Sequence, residues 1–266
     1  MEPGIYPTMS HAEYHAITGH VSNSYLSRLN ICPAAARIPQ EETPAMALGK
    51  AFHSYVLDGE DAFYGAFAVA EDIDDRRTKA GRAAFEAFSA KNKGKEIITR
   101  ADLDKIVGMD AAIKAHPVAR NLLAGGMNEV SIFWVDPFSG LPCKARPDHI
   151  FDAVLVDLKK TRDASEHGFR NSILRYGYHR QAAFYCDGMT KLTGKRHDTF
   201  AFIAVEDVPP YRIGVYTLSE GFMDYGRNDY QFLMARESRC RASNEWPNYT
   251  SAEVMELELP RYLAAS

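Results

Sequence analysis

The stretch Arg146-Pro147-Asp148, followed by the run Ala153–Lys160 (AVLVDLKK), brings two carboxylates and an ammonium group within reach of one another. Asp157 and Lys159 are separated by one residue in a run that reads as a β-strand. Side chains alternate with period two along a strand, so Asp157 and Lys159 share one face and Leu158 takes the other. A return of the chain at Phe151-Asp152 sets Asp148 beside Asp157 on that face. Adjacent carboxylates repel unless a cation lies between them, and hard divalent ions such as Mg²⁺ or Mn²⁺ favour oxygen ligands of this kind. A lysine on the same face would lower the pKa of a water at that ion or stabilise the charged transition state of phosphodiester hydrolysis. A bare Asp-x-Lys is common on solvated hairpins. Here AVLVDL is too apolar for a solvent edge, and burying charges on such a strand without a use for them is costly. Downstream, Gln181 and Tyr185 lie four apart on a helical pattern and point jointly toward one site.

The elements that must hold these residues follow from periodicity and punctuation. Ser22 or Ser24 caps a short helix leading into Tyr25, Leu26 and Leu29. After Pro44, Leu48, Phe52, Tyr55 and Val56 recur at helical spacing until Gly59. Thr99 caps a helix over about 102–115, with Pro117 just past its end. The period then changes to that of strands: 129–135, 141–151 and 153–160, joined by short turns, predict a three-stranded meander. Helices follow over 163–175 and 178–192, then strands over 198–206 and YRIGVYTL, then a helix capped by Ser219 and running to about Arg241. This order reads as one α+β domain over 1–266, with a helical N-terminal part (about 1–120) and a sheet-and-helix part (about 128–241).

The chain has 266 residues, 46% hydrophobic and 25% charged, enough for a substantial core. No apolar run reaches the length of a membrane span and the N-terminus lacks the order of a signal peptide, so a cytoplasmic protein with no membrane partner is expected. The net charge of −4 argues against coating nucleic acid through bulk charge. That charge is uneven: from Arg76 to Lys95, seven basic residues face one acid, Glu86, giving +6 against −10 for the remainder. Arg76, Arg77, Lys79 and Arg82 are therefore candidates for tracking a DNA backbone. Arg28 is a further candidate, and so is Arg146, two residues from Asp148 and on the same strand face. Ser22 and Ser24 at a helix start are candidates for a terminal phosphate. His11 and His15 pair at i,i+4 without a third ligand at zinc-site spacing, and the four cysteines are scattered, so neither a zinc site nor an iron–sulfur cluster is expected.

In order along the chain, Gly49-x-x-x-His53, Glu129, Pro147-Asp148, Asp157-Leu158-Lys159 and Gln181-x-x-x-Tyr185 resemble the motifs of the PD-(D/E)XK nuclease superfamily, in its RecB-like branch. RRTKAG, Trp134-Val135-Asp136-Pro137, the CKARPD strand and YHRQAAFY are similar to the phage or prophage exonuclease VIII (RecE) type. The resemblance spans about residues 5–235. It implies a restriction-endonuclease-like α+β core, a central mixed β-sheet flanked by helices. By the same resemblance, His53, Asp148, Asp157 and the Leu158 carbonyl ligate one or two Mg²⁺ or Mn²⁺ ions, with Glu129 assisting. Lys159 is the catalytic lysine, and Gln181 and Tyr185 orient the site and contact the phosphate. Relatives commonly read DLKTT or DVKTT; here Lys160 follows Lys159 and points to the other face, making the surface there more basic. The implied activity is exonucleolytic hydrolysis of duplex DNA with free ends, 5′ to 3′. The 3′ tails it leaves would feed a single-strand annealing protein in phage-type recombination, and the enzyme would be a ring-like trimer or tetramer. The rivals are an endonuclease of the same superfamily and a catalytically inactive DNA-binding or assembly protein.

Overall fold

The computed structural model describes residues 1–39, 41–71, 78–250 and 254–259. The N-terminal part comprises β1 (Gly4–Tyr6), α1 (His11–Ala16), α2 (Asn23–Ile31), α3 (Pro33–Ala36), α4 (Pro44–His53), α5 (Glu60–Ala66), β2 (Phe67–Ala70), α6 (Lys79–Lys91), β3 (Glu96–Thr99), α7 (Arg100–Ala115) and α8 (Pro117–Leu122). There follow β4 (Met127–Asn128), β5 (Ser131–Val135), β6 (Pro142–Ala145), β7 (His149–Phe151), β8 (Val154–Thr161), α9 (Glu166–Tyr176), α10 (Tyr178–Thr193), β9 (Thr199–Glu206), β10 (Ile213–Thr217) and α11 (Glu220–Ser243).

Local chemistry sets the helix starts. Ser22 accepts from the Tyr25 N–H at 3.3 Å and so caps α2. Thr99 and Asp102 form a reciprocal capping box at the start of α7, and Ser219 caps α11. The helix after Pro44 continues past His53 as a π-helical turn, Ser54–Asp58, up to Gly59, which has φ 86°.

The main sheet is mixed, in the order β10-β9-β8-β7-β4, with β8 parallel to β9 and every other neighbour antiparallel. It is covered on both faces. Leu155, Phe200, Phe202 and Ala204 pack with residues of α9, α10 and α11, while Val156, Leu158, Ala201, Ile203 and Val205 pack with residues of α4 and α7. Strands buried on both faces must be apolar throughout, which is why AVLVDL and FAFIAV read as continuous apolar runs. Asp157 has the parity of Leu155 and therefore faces the α10 side.

Two expectations are corrected here. The segment 141–151 is not one strand of a meander: β6 pairs with β5, which pairs with β1 in a separate three-stranded sheet, whereas β7 pairs with β8. The break falls at Arg146-Pro147-Asp148. Pro147 has no N–H to give a ladder, the Asp148 carboxylate takes the Leu158 N–H at 2.8 Å, and its carbonyl takes the Glu129 N–H at 2.9 Å. Nor is the N-terminal part wholly helical. It contributes β1 to the sheet of β5, and a parallel pair, β2 with β3. These strands have three and four residues, too few to carry a readable alternation.

Candidate active site

The chain break after β6 is what assembles the site. It frees Asp148 from a ladder and leaves it at the junction of the two sheets, against the middle of β8 and the C-terminal end of α4. His53, in the last turn of α4, reaches β8 with both ring nitrogens engaged: Nε2 lies 3.0 Å from the Leu158 carbonyl and Nδ1 lies 3.4 Å from Asp148 Oδ1. With Nε2–H donating to the carbonyl, a neutral imidazole would aim its Nδ1 lone pair at a carboxylate, which is repulsive. Only a proton or a metal ion at Nδ1 makes the arrangement favourable. Burial opposes the imidazolium, but Asp148, Asp157 and Glu129 outweigh it and hold the His53 pKa up at about 9.

Glu129 completes the cluster from the bend between β4 and β5, where its φ of 51° lies in a region uncommon for residues other than glycine. Among the described residues, His53, Glu129 and Asp148 each offer one ligand atom, and these atoms all lie within 4.8 Å of one another. Burial and the charge of Asp148 push Glu129 up to about 7, although His53 and Arg146 pull the other way. Burial and Asp148 likewise raise Asp157 to about 6 against the pull of Lys159. Asp148 is itself held below the ordinary carboxylate value: burial would raise it, but His53, Lys159 and the Leu158 N–H prevail. Three buried carboxyls this close together, two of them raised by burial and by Asp148, are groups that a divalent cation could hold in their charged form.

Asp157 is placed differently from the expectation that it ligates alongside His53 and Asp148. Its Oδ1 accepts from Gln181 Nε2 at 2.6 Å, and Lys159 Nζ lies 2.5 Å from Oδ2. Oδ2 is buried, and the Lys159 ammonium is its charged partner. The Leu158 carbonyl, expected as a metal ligand, is engaged by His53 Nε2. Burial would lower the Lys159 pKa, but Asp157, Tyr178 and Asp148 raise it, so the ammonium stays charged at any physiological pH and acts as a fixed positive charge rather than a base. Its Nζ also lies 4.6 Å from the Tyr178 ring centroid. The residues present therefore fit a hard divalent ion: His53, Glu129 and Asp148 would hold it, with Asp157 adjacent.

His53, Glu129, Asp148, Lys159, Tyr178 and Gln181 line a cavity of about 860 Å³. The same cavity is lined by His11 and His15 of α1, by Ser22, Asn23, Ser24, Ser27 and Arg28 at the start of α2, and by Lys50. Lys50 pairs with Glu96, which also lines the cavity, and burial lowers the His11 pKa to about 4 and lowers that of His15, so their charged forms are disfavoured. The buried Arg180 ties α10 to its neighbours, donating to Ser27 Oγ (2.8 Å) and Asn23 Oδ1 (3.3 Å) on α2 and to Asp229 (3.0 Å) on α11. It adjoins Gln181, so the helix that presents hydroxyls is fixed to the helix that holds Asp157.

The remaining sequence-predicted residues are distributed as follows. Tyr185 lines the cavity and receives the Arg146 backbone N–H; burial raises its phenol well above the usual value. Arg146 also lines the cavity, but its guanidinium is engaged inside the protein, with Glu129 at 2.7 Å, the Met9 carbonyl at 2.9 Å and Ser131 Oγ. Lys160 pairs with Asp207 at 3.2 Å, away from the cavity. Lys79 and Arg82 lie on α6, a helix with no buried residue, and are not among the cavity's lining. Arg76 and Arg77 lie outside the described residues. Sequence reasoning missed Lys50, Asn23, Ser27 and Tyr178. Lys50 stands one helical turn before His53 and was findable from that spacing; Tyr178 was quoted only as part of a motif.

A central mixed sheet between helices, with Asp157 and Lys159 on its middle strand and Asp148 in the break just before β7, is consistent with a PD-(D/E)XK-type fold. Residues 22–258 match the family described as PDDEXK-like domain of unknown function (DUF3799), and the chain belongs to that family. No curated protein matches the sequence. Among solved structures, one from Eubacterium rectale described as a "Putative exonuclease" is similar in fold, with a TM-score of 0.63 and 14% identity, covering 97% of this chain and 98% of that one. Among the described residues no helix is long and apolar enough to cross a membrane.

Proposed function

We propose that the protein is a metal-dependent deoxyribonuclease that removes nucleotides from the ends of linear duplex DNA. The observation that carries this reading is a single cavity that takes in both an acid cluster and a helix start: His53, Glu129 and Asp148 converge within 4.8 Å, beside the Lys159–Asp157 pair, and the Ser22, Ser24 and Ser27 hydroxyls with Arg28 line the same cavity. His53, Glu129 and Asp148 would hold a divalent cation, which would supply positive charge to polarise a phosphodiester and ease the loss of a proton from water. Lys159 stays protonated and offsets the negative charge that grows on the phosphoryl oxygens as water attacks in line. Gln181 fixes Asp157 so that its second oxygen faces Lys159, and His53 is fixed by the Leu158 carbonyl. The start of α2, with Ser22, Ser24 and Arg28, is suited to a terminal 5′-phosphate, which supports digestion from a 5′ end.

In this reading the ion is Mg²⁺, with Mn²⁺ able to replace it. The product is duplex DNA with 3′ tails, passed to a single-strand annealing protein in phage-type recombination, and the working form is a ring-like trimer or tetramer in the cytoplasm. Lys79 and Arg82 on α6, with Arg76 and Arg77, track the duplex backbone. The test is Mg²⁺-dependent digestion of a blunt linear duplex and of a covalently closed circle, by wild type and Asp157→Ala. Nucleotide release from the linear duplex alone, lost in the variant, is expected. Cleavage of the closed circle would replace the reading with an endonuclease. No release from any substrate would favour a non-catalytic DNA-binding protein.

A further inference from the structure

The corner between α9 and α10 carries a feature that the chemistry above does not use. It reads Arg175-Tyr176-Gly177-Tyr178. Gly177 ends one helix and starts the next at φ 70°, and a Cβ there would lie 2.6 Å from Arg180 Nη2, so both backbone and space require glycine. The corner is therefore rigid, and it sets two tyrosine rings side by side, centroids 5.7 Å apart and planes 35° from each other. Tyr178 is half-buried, lines the cavity, and is held by Phe169 and Phe202 at centroid distances of 6.1 and 5.8 Å. Its ring covers the Lys159 ammonium. Tyr176 lies outside the cavity with 54% of its surface exposed, and the Arg175 guanidinium lies 5.6 Å from its ring centroid. Lysine, tyrosine, tyrosine and arginine thus form a continuous line from the candidate catalytic centre to solvent.

We infer that the Tyr178–Tyr176 line is a stacking track for the nucleobases of single-stranded DNA as it leaves the active-site cavity. An exposed aromatic ring next to an arginine is what successive unpaired bases use, because every base has a π-face and the phosphate between bases needs a cation. A paired base keeps its faces within the duplex stack and gains nothing from Tyr176, so the track distinguishes single from double strands. The inference rests on the nuclease reading for its purpose, but the strand-binding measurement stands without it.

The test is fluorescence anisotropy of labelled single-stranded DNA, with a blunt duplex and an abasic single strand as comparisons, without added metal, using the full chain. Tyr176→Ala should weaken binding of the ordinary single strand by about 5- to 150-fold, the size of one lost stacking contact. Duplex and abasic strands should bind both forms alike, and Tyr176→Trp should restore affinity. Equal affinity of wild type and Tyr176→Ala for the single strand would overturn the track. So would an equal loss on the abasic strand or the duplex, since either points to a backbone contact. Mg²⁺-dependent digestion by wild type, measured in parallel, separates the two failures. A loss of strand affinity in a protein that digests nothing leaves the track standing and removes the nuclease reading; digestion with Tyr176 neutral removes the track alone.

Discussion

The acid cluster predicts an inverted dependence of stability on pH. Glu129 is displaced from 4.5 to about 7 by burial and by Asp148. Between those values the native carboxyl keeps a proton that the unfolded chain has released. The native state binds more protons, and stability falls as pH rises through that window. Ionising Glu129 in place costs on the order of 3 kcal/mol, at roughly 1.4 kcal/mol per pH unit. For a chain of this size each kcal/mol moves Tm by about 2–4 °C, so this one group lowers Tm by roughly 6–12 °C from about pH 5 to about pH 7.5. His53 acts in the same direction at higher pH: its pKa is raised to about 9, so the stability it contributes is complete below about 6.5 and is lost as pH rises through 9. The assay is thermal unfolding of metal-free protein across this range, repeated with saturating Mg²⁺ and with Glu129→Gln. Wild type without metal should lose Tm as pH rises, the variant should lose much less, and Mg²⁺ should raise wild-type Tm more at the higher pH. A metal-free Tm that is flat or rising across the window, with the same slope in Glu129→Gln, would refute the account of the cluster.

Three further outcomes follow from the same geometry. Lys159→Met should abolish hydrolysis and, by leaving the buried Asp157 unpaired, lower Tm by several degrees more at about pH 8 than at about pH 5, measured by thermal unfolding. Gln181→Leu removes the 2.6 Å donor to Asp157 and should cost roughly 1–3 kcal/mol in denaturant unfolding together with a reduced turnover rate. Lys79→Ala with Arg82→Ala, on a helix without buried residues, should leave stability within about 0.5 kcal/mol. The same double variant should flatten the salt dependence of DNA affinity by about two phosphate contacts.

Much of the site is written in the order of residues, because strand parity is a local property. Asp157 and Lys159 share a face for the same reason that Leu155 and Leu158 do not. The capping residues Ser22, Thr99 and Ser219 were legible for the same reason, each acting within three residues of itself. What was not legible depends on long-range pairing. Arg146 has the parity of a residue facing a ligand, yet Glu129, Met9 and Ser131 converge on it from elsewhere in the chain. The sequence read 141–151 as one strand; that it breaks at Pro147 and its two halves join different sheets depends on long-range pairing, with β1 arriving from residues 4–6. The pairing of His11 and His15 was visible in their spacing; that they line the same cavity as the acids was not.

The most direct test of the metal centre is the anomalous scattering of Mn²⁺ in crystals of the full chain. A peak is expected at coordination distance from His53 Nδ1 and from carboxylate oxygens of Glu129 and Asp148, and it should disappear in Asp148→Asn. A well-occupied ion elsewhere, or no ion at this cluster at saturating Mn²⁺, would contradict the assignment.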